Sequence, residues 1–211
     1  MRSALTPVAA AVAAALVLVN LAGCVPETGG PAAHPNPIIV REFTFSLGVV
    51  TLDPSFGFSL RRGAPGVPPR QRAASLARAA AFNLADAIAQ QLSSLGYDAI
   101  RSDTAAPEPG ARALIVTGAF RQIDEGYRRL VGAEHASLAV DVAIDYQAAG
   151  APAQRIMAFP LDSLRVPRDG TIGVSARRAA DVDAAAARLG AAIAGAATNL
   201  ARLNNWPAAP R

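Results

Sequence analysis

The stretch ARALIVTGAFRQID, Ala111 to Asp124, with its neighbour ASLAVDVAIDYQA, Ala136 to Ala148, decides how this chain folds. Side chains along a strand point alternately to the two faces of a sheet, so period two marks a strand with one face buried. In the first segment Leu114, Val116, Gly118 and Phe120 share one face, and Ile115, Thr117 and Arg121 the other. In the second, Leu138, Val140, Val142, Ile144 and Tyr146 point inward while Asp141 and Asp145 point outward. Two long strands in sequence, one face apolar, predict a sheet that needs covering on that face only.

Two helices are available to cover it. From Ala73 to Leu95, residues Leu76, Ala80, Leu84, Ile88, Leu92 and Leu95 recur every three or four positions, and Gly96 supplies the stop. A second helix is expected from Ala180 to Leu203, with Val182, Leu189, Ile193, Leu200 and Leu203 along one stripe and Trp206 and Pro207 ending it. Shorter strands are expected at Ile38–Leu47, with Ile39, Phe43, Phe45 and Leu47 on one face, at YDAIRS (Tyr97–Ser102) and at Arg155–Leu161. The Gly- and Pro-rich segment between the first strand and the first helix reads as a long loop, with one short strand near Val49–Leu52. The order β-α-β-β-β-β-α predicts an α+β fold: a mainly antiparallel sheet with two helices packed on one face.

The 211 residues suit one domain of this size. Apolar residues make up 52%, much of it alanine, and aromatics only 5%, so Leu, Ile, Val and Ala must build most of the core. All 20 basic residues are arginine, and the formal charge is +4. The basic residues are scattered, with no Arg tract interleaved with aromatics, which argues against nucleic acid as a partner.

The first residues read as an address. Arg2 precedes the apolar run VAAAVAAALVLVN, Val8 to Asn20, which is the pattern of a secretory signal and shorter than a comfortable membrane span. Leu21-Ala22-Gly23-Cys24 then resembles the bacterial lipobox, in which an aliphatic residue and two small residues precede a cysteine. A thiolate is the better nucleophile for accepting a diacylglyceryl group, and small neighbours let a signal peptidase reach the bond before Cys24. The reading is therefore a lipoprotein signal peptide at 1–23, a lipidated N-terminus and Pro/Gly-rich tether at 24–37, and one α+β domain at 38–211. Cys24 is the only cysteine, so the domain has no internal disulfide and is held by packing alone. Val25 in place of an aspartate favours the outer membrane, by resemblance to enterobacterial sorting rules.

No catalytic constellation is recognisable. Asp141 and Asp145 share a strand face roughly 13 Å apart, too far for a cooperating carboxylate pair. His135 has no second histidine at a ligand spacing, and His34 lies between prolines in the tether, so no metal and no cofactor is expected. GTIGVS, Gly170 to Ser175, lacks the lysine of a phosphate loop and reads as a turn. The connection GAFRQIDEGYRRLVGAEHAS, Gly118 to Ser137, carries more charge than a hairpin needs, with Arg121, Asp124, Arg128 and Arg129 as a candidate partner or ligand surface and a solvated hairpin end as the plainer reading. Arg61, Arg62, Arg70 and Arg72 make a basic loop. The terminal helix stretch AAAARLGAAIAGAATNLA holds one charge, Arg188; its alanines are read as inexpensive surface rather than as burial on two sides.

FRQIDEGYRR after the helix LADAIAQQLSSLGYD resembles bacterial lipoproteins grouped as domain of unknown function 4410. The likeness spans roughly Ile38 to Trp206 and rests on Phe43, Leu92, Gly96, Gly118, Phe120, Ile123, Asp124, Gly126, Arg129, Gly132 and Ser137. A glycine-rich segment before the serine is replaced here by Ala133-Glu134-His135. The resemblance implies architecture and location, and no reaction. The expected function is that of a lipid-anchored envelope protein, a non-enzymatic accessory or assembly subunit with a protein partner. The alternative is a carrier of a small apolar or lipid ligand.

Overall fold

The computed structural model describes residues 35–54, 67–103, 112–127, 135–164, 172 and 179–206. The chain runs through β1 (Ile38–Arg41), a 3-10 turn at Leu47–Val49, β2 (Val50–Thr51), α1 (Pro69–Ser94), β3 (Ala99–Ser102), β4 (Ala113–Asp124), β5 (Ser137–Gln147), β6 (Gln154–Asp162) and α2 (Val182–Leu203). The strands form one sheet in the order β3-β1-β4-β5-β6, with β2 beside the end of β4. The two longest ladders, β4–β5 and β5–β6, are antiparallel. β1 is parallel to both β3 and β4, and β2 to β4. Parallel neighbours need a crossover, and α1 provides the one between β1 and β3. The fold is α+β, its sheet mixed but antiparallel over most of its pairing.

Both helices lie on one face. Val116, Phe120, Val140 and Ile144 from the sheet meet Leu84 and Ile88 of α1 and Leu189 and Ile193 of α2 in one continuous core. A small second cluster, Ile39, Ala113 and Ile115, sits on the other face. The helices cross closely: a Cβ on Gly190 of α2 would come within 2.7 Å of the Ala87 Cβ of α1. About one turn earlier on α1 and two turns earlier on α2, Asn83 donates to Asp183 Oδ1 at 2.8 Å, so the two helices advance in the same sense. Asp181 caps α2 by accepting from Ala184 N at 2.9 Å, and Arg202 sits in its last turn, both favourable to the helix dipole. Past the helix Trp206 is buried and stacks on Tyr146 of β5 with ring centroids 5.6 Å apart.

Four details differ from the sequence reading. β1 stops at Arg41, and the break before Phe43 shifts the alternation by one residue. Ile38, Val40 and Phe43 therefore face the helices, Ile39 faces away, and Leu47 is exposed in the 3-10 turn. α1 begins four residues early at Pro69, because proline costs nothing at the first helical position, so Arg70 and Arg72 belong to the helix rather than to a loop. Leu95 and Leu203, at the helix ends, are exposed. The alanines of α2 are buried on two sides, since Ala186, Ala194 and Ala197 are closed off among sheet and α1. Their small size is what permits helix and sheet to approach together.

Register matters for the site. Between Phe120 and Gln122 the β4–β5 ladder slips, which leaves Arg121 as an extra residue and returns Ile123 to the core side opposite Leu138. A second slip, between Ile144 and Asp145, leaves Ile156 extra in β6. The chain joins the sheet at one end, where Ile38 lies between Leu114 and Ala99. The β4–β5 connection leaves from the opposite end, where Asp124 faces Ser137, ten residues along β4 or roughly 33 Å away. Among the described residues no helix is long and apolar enough to cross a membrane.

Candidate functional site

The sheet face turned away from the helices is paved with small side chains. Thr117, Ala143 and Ala158 align across β4, β5 and β6, and Ala119, Asp141 and Pro160 form the next row. Side chains this short leave a shallow concavity of about 560 Å³, bordered by Thr44 and Arg155. Thr44 reaches this position because the chain after β1 bridges to Ala119, its N–H donating to Gly118 O at 2.9 Å.

Charged pairs frame the concavity. Arg121, released from the regular ladder by the bulge, holds Asp141 Oδ1 at 2.9 Å, with the two side chains 44% and 59% exposed. Its Nη2 also points to Leu161 O at 3.5 Å. Arg155 grips Asp145 with two nitrogens, Nε to Oδ1 at 2.8 Å and Nη2 to Oδ2 at 3.3 Å. The hydrogen bond to Asp145, and then its charge, hold the Arg155 guanidinium above its ordinary value. The two aspartates thus do occupy the outer face, as the alternation predicts, and each is paired there with an arginine across the ladder. Sequence alternation could not show those pairs, because the slip at Phe120/Gln122 determines where Arg121 points.

The candidate surface drawn from sequence is divided by the structure. Arg121 belongs to the concavity. Asp124 serves the backbone instead: its Oδ1 accepts from Gly126 N at 2.8 Å, and Gly126 takes φ +77° to close that turn. Arg128, Arg129 and Cys24 lie outside the described residues. Glu125, the residue after Asp124, is buried; its Oε2 accepts from Asp53 N and its own N–H donates to Thr51 O, both at 3.0 Å. It fastens β2 to the end of β4, and no periodic signal marks it. Of GTIGVS only Ile172 is described. Among the described residues no group of three or more His, Cys, Asp or Glu side chains could hold a metal ion.

The sheet edges are poorly suited to strand addition. β6 carries the bulge at Ile156 and Pro160, which has no N–H to donate. β3 at the other edge has four residues, and Arg101 there lies over the Phe82 ring of α1 at 4.0 Å. A second concavity of about 450 Å³ opens between the 3-10 turn, β2 and the start of α1, lined by Leu47, Val50, Leu52, Pro69 and Ala73, with Arg70 at its border.

No protein-family model matches the sequence, and no curated protein matches it either. Among solved structures, one described as a neuraminyllactose-binding hemagglutinin homolog from Helicobacter pylori aligns over 81% of this chain and 83% of its own. The identity is 11% and the TM-score 0.34, values at which the likeness carries no argument.

Proposed function

We propose that this chain is a lipid-anchored cell-envelope protein whose domain is a non-enzymatic accessory or assembly subunit, docking a protein partner through the open face of its sheet. The observation that carries the docking reading is the two small-residue rows, Thr117-Ala143-Ala158 and Ala119-Asp141-Pro160, bordered by exposed ion pairs of both signs. Two rows without a large apolar side chain admit a partner closely, and paired charges at their border set register more than affinity. The anchor is Cys24, and the membrane is the outer one with the domain on its periplasmic side; the lipobox pattern supports the first, and Val25 in place of an aspartate supports the second.

The test is cross-linking in the native envelope followed by capture of the full-length protein. Ala158 is exposed in the floor of the concavity, so Ala158→Trp fills it without entering the core. Loss of the captured partner with an unchanged circular dichroism spectrum supports the face; an undiminished partner removes it. Charge reversal at Arg128 and Arg129 asks the same of the connection.

A second reading, a carrier of a small apolar or lipid ligand, is favoured by the 450 Å³ notch with its aliphatic lining and Arg70. Native mass spectrometry decides it: a retained lipid supports the carrier, and a clean unliganded mass rejects it.

A further inference from the structure

The notch at the start of α1 sets an unpaired cation beside apolar walls. Leu47 of the 3-10 turn, Val50 of β2, Leu52 just past it, and Pro69 and Ala73 of α1 line about 450 Å³. Leu47 is 45% exposed there, although nothing in the turn itself requires a large apolar side chain. Arg70 stands at the border, exposed, and its guanidinium makes no ion pair or hydrogen bond with any described residue. The arginines framing the other concavity differ in this respect, since Arg121 holds Asp141 and Arg155 holds Asp145. The helix start adds to the same charge. Its N-cap is Pro68, no side chain accepts from its first turn, and no acid stands in that turn. α2, by contrast, begins with Asp181 and Asp183. The positive end of the α1 dipole therefore lacks the acid that ordinarily offsets it, and Arg70 is added to it.

Aliphatic walls favour an alkyl chain, and a fixed positive charge at the rim favours an anion, so the complementary molecule carries both. Small-molecule sites run from about 300 to 1,000 Å³, and a volume near the lower end suits one chain rather than two. The planar fork of one arginine matches the single charge and paired oxygens of one carboxylate, through two parallel N–H···O bonds. We infer that the notch binds a single-chain carboxylic acid, its alkyl chain against Leu47, Val50 and Leu52 and its carboxylate on Arg70. This deepens the carrier reading and rests on it. Val50 and Leu52 also pack against the main core, so the notch belongs to the helical side of the sheet and does not depend on the Asp141 face.

Photo-labelling of the full-length protein in phosphatidylcholine nanodiscs tests this. The probes are palmitic acid carrying a diazirine on its chain and the matching alcohol, and mass spectrometry locates the labelled peptides. The acid should label Leu47–Leu52 and Pro69–Ala73, and unlabelled dodecanoate should compete where dodecanol does not. Arg70→Gln should lower the labelling about tenfold at limiting probe, as loss of a charge-assisted pair implies. Arg78→Gln, exposed two turns further along α1, removes the same charge and should leave the labelling unchanged. Both positions are on the surface, and an unchanged circular dichroism spectrum checks that each variant folds. Equal labelling of the notch by acid and alcohol, undiminished in Arg70→Gln, overturns the carboxylate and leaves an apolar carrier standing. Labelling of the notch by neither probe overturns the carrier reading with it. Stronger competition by dioleoyl phosphatidylglycerol than by dodecanoate overturns the single chain in favour of a phospholipid.

Discussion

The ring of Phe43 occupies the space that a side chain at Gly118 would need. A Cβ built on Gly118 collides with two carbons of that ring and comes within 2.5 Å of Asp141 O. Phe43 is buried there, edge-on to Phe120 at 6.0 Å between centroids. Glycine at 118 is thus a packing requirement set by the residue that follows β1, not by a turn. Gly118→Ala should cost about 1–3 kcal/mol, the usual range for overpacking a tight core, and Gly118→Val more. Urea midpoints measure both. Adding Phe43→Leu to Gly118→Ala should cost less than the two single changes summed, because they contend for one volume.

Gly190 meets a similar limit at the helix crossing, where an added Cβ lies 2.7 Å from the Ala87 Cβ and 3.1 Å from its carbonyl carbon. Backbone cannot move aside as a side-chain end can. Intrinsic propensity favours alanine over glycine in a helix by roughly 1 kcal/mol, so a surface position would gain from Gly→Ala. Here Gly190→Ala should lose stability instead, and Gly190→Leu should separate α1 from α2 and expose apolar surface. A lowered Tm for the first and dye binding by the second are the expected readings; a stabilised Gly190→Ala would show that the helices are not this close.

Much of this architecture is legible in the chain, for a physical reason. The inward faces of β4 and β5 were readable because period two persists through Leu114–Phe120 and Leu138–Tyr146 with few interruptions. α1 was readable from Leu76 to Leu92 because aliphatic residues recur at helical spacing. The phase of β1 was not, since the break at Glu42, between its end and Phe43, changes which face follows. Nor was the bulge at Arg121, which depends on the partner strand as much as on β4 itself. The concavity was hidden for a related reason: Thr117, Ala119, Ala143 and Ala158 are unremarkable singly and become a surface only when three strands align them. Two-sided burial of α2 is likewise ambiguous in a run of alanines, which fit a crowded interface and water almost equally well.

Glu125 offers a test of a polar contact within this frame. It is 8% exposed, and its carboxylate accepts the Asp53 N–H where β2 meets the end of β4. Removing the acceptor strands a buried donor, at about 1–3 kcal/mol. Glu125→Ala should lower stability by that amount, and Glu125→Gln by less, because the amide oxygen still accepts. Hydrogen exchange adds a local readout: the Asp53 amide should lose protection in the alanine variant and keep most of it in the glutamine variant.

The Arg121–Asp141 pair should behave differently. Both side chains are more than one-third exposed, so solvent screens the pair and Asp141→Asn should change stability by no more than about 1 kcal/mol. Its effect should fall on binding. If the open face docks a partner, Asp141→Asn and Arg121→Gln should each weaken capture, while the double exchange Arg121→Asp with Asp141→Arg should retain the fold and still fail to bind. Normal capture by the double exchange would mean that the partner does not read these charges.

Cys24 carries the prediction that concerns location. A thioether to diacylglycerol at Cys24, followed by cleavage before it, requires the thiol itself; a hydroxyl at the same place is too weak a nucleophile under the same conditions. At ~0.8 kcal/mol per buried CH₂, one acyl chain holds a protein only marginally, whereas two or three hold it effectively for good. Cys24→Ser should therefore abolish labelling by radioactive palmitate and leave uncleaved precursor, visible as a slower band. The domain from Ile38 onward should fold all the same, because among the described residues the core cluster begins at Ile38. The two measurements separate delivery from folding: mature, membrane-fractionating protein from Cys24→Ser would reject the lipid anchor while leaving the fold and the open-face site untouched.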